Sequence, residues 1–184
     1  GGYPGLAMFF GSYSATLFSD LTSHELGHNH GGGHASSYTC TGAGGVRVTL
    51  SGTCTSSEYG NPSDVMGVGS VNSYCHMNTF LKGRLNWYGP ENTQDVTTSG
   101  DYTIVPLETQ SSGIQALRIP RLTDANGNVT QYYYAEFRQP YGFDSFSPTA
   151  TIVNGITLNL ATPYNVYTKT LLLDTTASTA THGD

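Results

Sequence analysis

Residues 24–34 read His24-Glu25-Leu26-Gly27-His28-Asn29-His30-Gly31-Gly32-Gly33-His34, a spacing able to hold one divalent cation. On a helix, residues four apart stand one above the other on the same face. His24 and His28 can therefore direct ring nitrogens at one point about 2 Å from each, the distance zinc requires. A helix that simply continued would carry the next imidazole away from that point. Gly31 can take up the left-handed conformation that ends a helix, turning the chain so that His34 returns as third ligand. Three protein ligands leave a fourth position open, the pattern of catalytic rather than structural zinc sites. Glu25 follows His24 directly, so it can lie beside the attacking water without ligating the metal. There it is the candidate general base, taking a proton from water and passing it to the leaving amine.

These side chains need a helix to carry them and a floor beneath them. Ser19 or Asp20 can cap a helix over residues 21–29, in which Glu25 falls early enough to favour the helix dipole. Ser63-Asp64-Val65-Met66-Gly67 reads as a tight turn that carries Met66. Met77, Phe80, Leu81 and Leu85 fall at helical spacing in residues 72–87, which predicts an amphipathic helix packed under that turn. His76, near its start, reads as a structural histidine, because three imidazoles and a solvent position already complete the site.

The pattern H-E-x-x-H-x-x-G-x-x-H followed by a methionine turn is the metzincin signature, and the resemblance implies that Ser63–Gly67 is that turn, with the Met66 side chain an apolar floor under the metal. Within the metzincins the chain resembles the gametolysin family and its bacterial relatives. The matching residues are His24-Glu25-Leu26-Gly27-His28-Asn29 with His34-Ala35, and Glu58-Tyr59-Gly60-Asn61-Pro62-Ser63-Asp64-Val65-Met66-Gly67. Gly83-Arg84-Leu85-Asn86-Trp87 and Tyr132-Tyr133-Tyr134-Ala135-Glu136-Phe137-Arg138-Gln139-Pro140 extend the likeness over most of the chain. The resemblance implies a secreted zinc endopeptidase acting on extracellular or cell-wall proteins. It also implies a twisted sheet and a further helix ahead of the zinc helix. Only one apolar run, residues 5–10, precedes it here, so the catalytic region is read as truncated on its N-terminal side, an excerpt of a longer protein.

Composition narrows the partners. Charged residues make up 11% of the 184, against roughly a quarter in an average soluble protein, and Gly, Ser, Thr, Asn and Tyr replace them. A net charge of −6 with seven Lys plus Arg and no basic cluster argues against nucleic acid and anionic membrane surfaces. No apolar run approaches the roughly 18 residues of a membrane span. A protein or peptide substrate and an extracellular or cell-surface location remain. The first residues lack the charged start of a signal peptide, so a secretion signal is expected upstream.

Cys40 and Cys54 flank a Gly/Thr/Ser-rich segment and are disulfide candidates, a staple worth about 3 kcal/mol on the chain-entropy argument. Cys75 is then left as a free thiol or as the attachment point of a partner elsewhere. A Cys75-His76 zinc cluster has no accompanying C-x-x-C pair.

The remaining segments are read as follows. Residues 5–10 form a buried strand, 12–18 a connecting loop, and 35–60 a loop-rich span with a short strand at 47–50. Gly89-Pro90 closes the first unit. Runs at 102–107, 114–119, 132–137, 156–160 and 170–173 then read as strands, with Asp124-Ala125-Asn126-Gly127-Asn128 a hairpin turn. The fold class is α+β: a metzincin-like catalytic region, 1–89, followed by an antiparallel β-sandwich, 90–184. Asp124, Asn126 and Asn128 lack the distal glutamate of a calcium loop and read as a plain turn. Asn128-Val129-Thr130 fits a glycosylation acceptor. Residues 132–134 alternate faces of a strand, so packing outranks a sugar-binding platform. Residues 175–184 form a polar tail. A second reading is a non-catalytic surface-assembly protein that kept a metzincin fold; the intact Glu25 favours the enzyme.

Overall fold

Short runs of threonine, tyrosine and aliphatic residues dominate the chain after its first helix, and they pair into one large sheet. The computed structural model describes residues 15–67, 75–163 and 168–177. Helix α1 spans Ala15–Asn29 and α2 spans Thr79–Arg84; the strands are β1 (Ala35–Thr41), β2 (Arg47–Val48), β3 (Thr53–Ser57), β4 (Thr93–Asp95), β5 (Ala116–Thr123), β6 (Val129–Phe137), β7 (Ile156–Ala161) and β8 (Thr170–Leu173). The protein is thus α+β, with a mostly sheet core and few helices. The strand order is β2-β1-β8-β7-β6-β5-β4, with β3 also on β1. Pairs β1/β8 and β4/β5 are parallel and the others antiparallel. No helix among the described residues is long and apolar enough to cross a membrane.

The strands expected to form a sandwich of their own after residue 90 instead share one sheet with the β1/β3 hairpin. The join is β8, which pairs Ala35 with Thr170 and Tyr38 with Leu173. Consecutive residues are buried at Ala35, Ser36 and Ser37, at Tyr134, Ala135 and Glu136, and at Asn159, Leu160 and Ala161. Three buried neighbours in a row mean that both sheet faces are covered there, which removes the simple inside-outside alternation. On one side Phe80 and Leu81 of α2 pack with Met66, Met77, Tyr134 and Ala161. Phe80 meets Tyr134 edge to face at 5.2 Å.

Several local expectations are corrected. Helix α1 begins at Ala15, so residues 15–18 are helical rather than loop, and Ser19 and Asp20 lie inside the helix instead of capping it. The run from Ala15 to Asn29 contains no proline to stop it. The loop-rich span at 35–60 is largely a hairpin: Ser37 faces Ser57, Cys40 faces Cys54, and these cysteines form the expected disulfide. Serine and threonine there are sheet residues, one edge stapled covalently. The helix expected over 72–87 is confined to Thr79–Arg84. Asn78 is its cap, extended at ψ 166° and accepting a hydrogen bond from Leu81 N, so α2 cannot extend back through it; the expected residues 72–74 lie outside the described residues. Residues 102–107 form no strand, although Val105 N bonds Ile114 O and Leu107 N bonds Phe137 O. The Asp124 turn is a plain hairpin turn, Gly127 taking φ 83° and the Asp124 carboxylate accepting from Asn126 N and Asn128 N. The strand expected at 5–10 lies outside the described residues.

Beneath α2 lies a sealed ionic cluster. Arg138 is fully buried and donates to Asp144 Oδ2 at 2.8 Å, Glu136 Oε1 at 3.2 Å and the His76 carbonyl at 3.1 Å. Glu136 in turn accepts from Thr79 N at 2.7 Å, and Asp144 from His76 N at 2.7 Å. Burial raises the Glu108 carboxyl to about 8, with the Asp144 carboxyl beside it adding to the effect. Arg138 therefore organises carboxylates that fix the start of α2.

Candidate metal centre

The turn that delivers the third histidine is a two-bond helix cap. Gly32 N donates to Gly27 O at 2.9 Å and Gly31 N to His28 O at 2.8 Å, with Gly31 at φ 89°. This is the Schellman pattern, which needs a left-handed residue at the position Gly31 holds. The chain then leaves the helix through Gly33 and enters β1 one residue after His34, whose carbonyl accepts from Thr170 N.

His24, His28 and His34 each offer one ring nitrogen, and these three atoms lie within 4.8 Å of one another. Among the described residues no carboxylate or thiol joins the group. The other nitrogen of each ring is engaged. His24 Nδ1 bonds Val65 O at 2.8 Å, His28 Nδ1 bonds Gly32 O at 2.8 Å, and His34 Nδ1 bonds Glu58 Oε1 at 2.7 Å. Carbonyl and carboxylate oxygens only accept, so each Nδ1 must carry the proton, and each neutral ring then bears its lone pair on Nε2. His28 Nε2 and His34 Nε2 stand 3.1 Å apart. Two nitrogens bound to one tetrahedral zinc at about 2.05 Å would be about 3.3 Å apart. Burial lowers the His24 pKa, which favours the neutral, lone-pair form. The donor set suits zinc: three imidazoles, each held from behind by an acceptor.

Met66 packs against the helix that carries His24 and His28. Met66 is fully buried, and a Cβ on Gly27 would come within 2.3 Å of its sulfur. Only glycine at position 27 lets the methionine lie this close to α1. The turn around it is closed by Gly67 N donating to Asp64 O, and Met66 O accepts from Ala35 N. The Asp64 carboxylate binds Met66 N at 2.7 Å, and Asn78 N and Nδ2 at 2.8 and 2.7 Å. Asp64 thereby ties the turn to the cap of α2. Complete burial raises its pKa to about 6 despite those donors.

Glu25 sits on α1 between His24 and the buried Gly27, half-buried and outside the imidazole group. His76 also stands apart from that group; its Nε2 accepts from Phe143 N at 3.3 Å. Cys75 is buried and forms no disulfide, and burial raises its thiol to about 12. Sequence reasoning assigns no role to Glu58, Val65 or Gly32, the three acceptors behind the rings. No pattern near His24 or His34 announces a partner 41 or 24 residues away.

No family model, curated protein or solved structure matches this chain.

Proposed function

We propose that the chain is the zinc-binding part of a secreted or cell-surface endopeptidase of metzincin type, resembling gametolysin, with residues 1–89 as its catalytic region. The observation that carries this reading is the orientation of the rings: three Nδ1 atoms each face an acceptor, which leaves three Nε2 lone pairs within 4.8 Å of one another and available to a single ion. His24, His28 and His34 would hold zinc. When bound, zinc supplies Lewis acidity that polarises a carbonyl and acidifies water.

The protein's own groups account for the rest. Glu25, next to a ligand and not itself one, accepts the proton of the attacking water on its carboxylate and returns it to the departing amine. Met66 keeps the underside of the site apolar, so the imidazoles are not solvated from below. A cavity of about 460 Å³ adjoins α1, with Val65, Met77, Trp87 and Phe143 in its wall. Ser19, Asp20, Ser23 and His76 also line it, so the cavity suits a large side chain of a peptide substrate with an apolar body and a polar tip. A disulfide and a low charge content support an extracellular location.

A fluorogenic peptide library, assayed with zinc and with chelator, tests this. Hydrolysis should vanish on chelation and return with zinc. Glu25→Ala should keep stoichiometric zinc and lose at least about two orders of magnitude in turnover, the usual worth of a general base. Turnover that survives in Glu25→Ala removes the carboxylate from the mechanism; turnover indifferent to chelator removes the metal.

A further inference from the structure

The third imidazole is held differently from the other two. His24 and His28 donate to backbone carbonyls, fixed by the turns they belong to. His34 donates instead to a side-chain carboxylate, Glu58 Oε1, at 2.7 Å. A charged acceptor makes a stronger hydrogen bond than a carbonyl and makes the opposite ring nitrogen a better donor to metal. The Glu58 side chain is 67% exposed, so core packing does not account for its position.

Backbone geometry delivers it. Strand β3 ends at Ser57, opposite Ser37; Gly60 N then closes a turn onto Ser57 O, and Asn61 N returns to Ala35 O, one residue past His34. Inside that turn Tyr59 adopts φ 60°, a left-handed conformation unfavourable for an aromatic residue. The consequence is that its ring lies 3.9 Å, centroid to centroid, from the ring of His34. The Cys40–Cys54 disulfide joins directly opposed residues of β1 and β3 and so fixes the register that sets this turn beside His34.

We propose that Glu58 is a positioning residue for the third metal ligand: it holds His34 in the Nδ1–H tautomer and aims Nε2 at the ion, while Tyr59 packs on the ring and limits its rotation. The inference rests on the three imidazoles being metal ligands.

The test uses the full chain, stripped of metal and titrated with zinc against a chromophoric chelator. Glu58→Ala should weaken zinc binding about 10- to 100-fold. Its metal-free thermal midpoint should match that of the unaltered chain, because the side chain is exposed. Glu58→Gln, whose amide oxygen still accepts from Nδ1–H, should recover most of the affinity. Imidazole nitrogen shifts of the metal-free protein give an independent readout: His34 should be the Nδ1–H tautomer in the unaltered chain and a tautomer mixture in Glu58→Ala. If the unaltered chain binds zinc and Glu58→Ala binds it equally well, the positioning role is wrong and the metal site stands. A folded, unaltered chain that takes up no zinc overturns both.

Discussion

Two polar clusters in this protein are built on opposite principles. The imidazole group comes from eleven consecutive residues, is partly exposed, and turns one ring nitrogen per residue toward a common point. The Arg138 cluster draws on residues from 76 to 144, is sealed from solvent, and spends its donors on carboxylates and a carbonyl. The first leaves lone pairs for a guest and is only partly buried. The second has no room for a guest, and the seat of α2 depends on it. A cluster whose lone pairs converge is a candidate for chemistry; one whose members satisfy each other is a fastener.

The contrast is sharpest in stability. Arg138→Met would strand the Glu136 and Asp144 carboxylates in the core, and breaking a buried ionic network by removing one partner costs about 3–5 kcal/mol. Urea unfolding should show that loss. His34→Ala, measured the same way without metal, should cost far less while abolishing tight zinc binding. Equal losses from the two variants would erase the distinction between guest site and fastener.

Next in size is the covalent staple. Replacing both Cys40 and Cys54 by serine frees a loop with a sequence separation of 14, for which the chain-entropy relation gives about 3 kcal/mol. The hairpin that carries Glu58 loosens with it, so zinc affinity should fall as well. A double variant that unfolds at a lower temperature yet binds zinc unchanged would separate the hairpin from the metal site.

The smallest effect is one of pH. Glu108 has its pKa raised in the folded protein by burial and the neighbouring Asp144 carboxyl, so the fold retains a proton that the unfolded chain releases. Its contribution is fully present below the ordinary carboxylate range and is lost as pH rises through about 8. Stability should therefore decline by about 1–3 kcal/mol from pH 5 to 8, since a tenfold difference in proton affinity between the folded and unfolded chain is worth about 1.4 kcal/mol at most. Glu108→Gln should flatten the part of that decline above about pH 6, leaving below it the share of Asp64, whose raised pKa of about 6 acts in the same direction; unfolding midpoints across the range will show whether it does.

Much of the candidate metal site is legible in the sequence because it is local. Helical spacing sets His24 over His28, and a glycine that can turn left-handed sits where the Schellman cap needs it. The Asp64–Gly67 turn and the cysteine pair are legible for similar reasons, each carried by a short pattern. The strands of the Asp124 hairpin are marked by a strong turn signal between β-rich runs. The rest is decided at long range or lacks a local marker. Ser19 and Asp20, good capping types, mimic a boundary from inside the helix, with no proline or glycine from Ala15 to Asp20 to set a real one. The β1/β3 hairpin is made of Ser, Thr and Cys, types whose composition suggests loop. Asn78 shortens α2 although apolar residues continue the helical period on its N-terminal side at Met77. Glu58 reaches His34, and Arg138 gathers its carboxylates, only once strands distant in sequence have paired.

The parallel pairing of β1 with β8 sets an order of events during synthesis. His34 enters the strand whose neighbour begins at Thr170, and the two are tied where Thr170 N meets His34 O. A growing polypeptide leaves the ribosome with its histidine motif long before residue 170 exists. For most of that interval the segment that follows the motif lacks the strand that later flanks it, and such distant pairings are slow to form. Maturation of the pocket is thus coupled to near-completion of this stretch of chain.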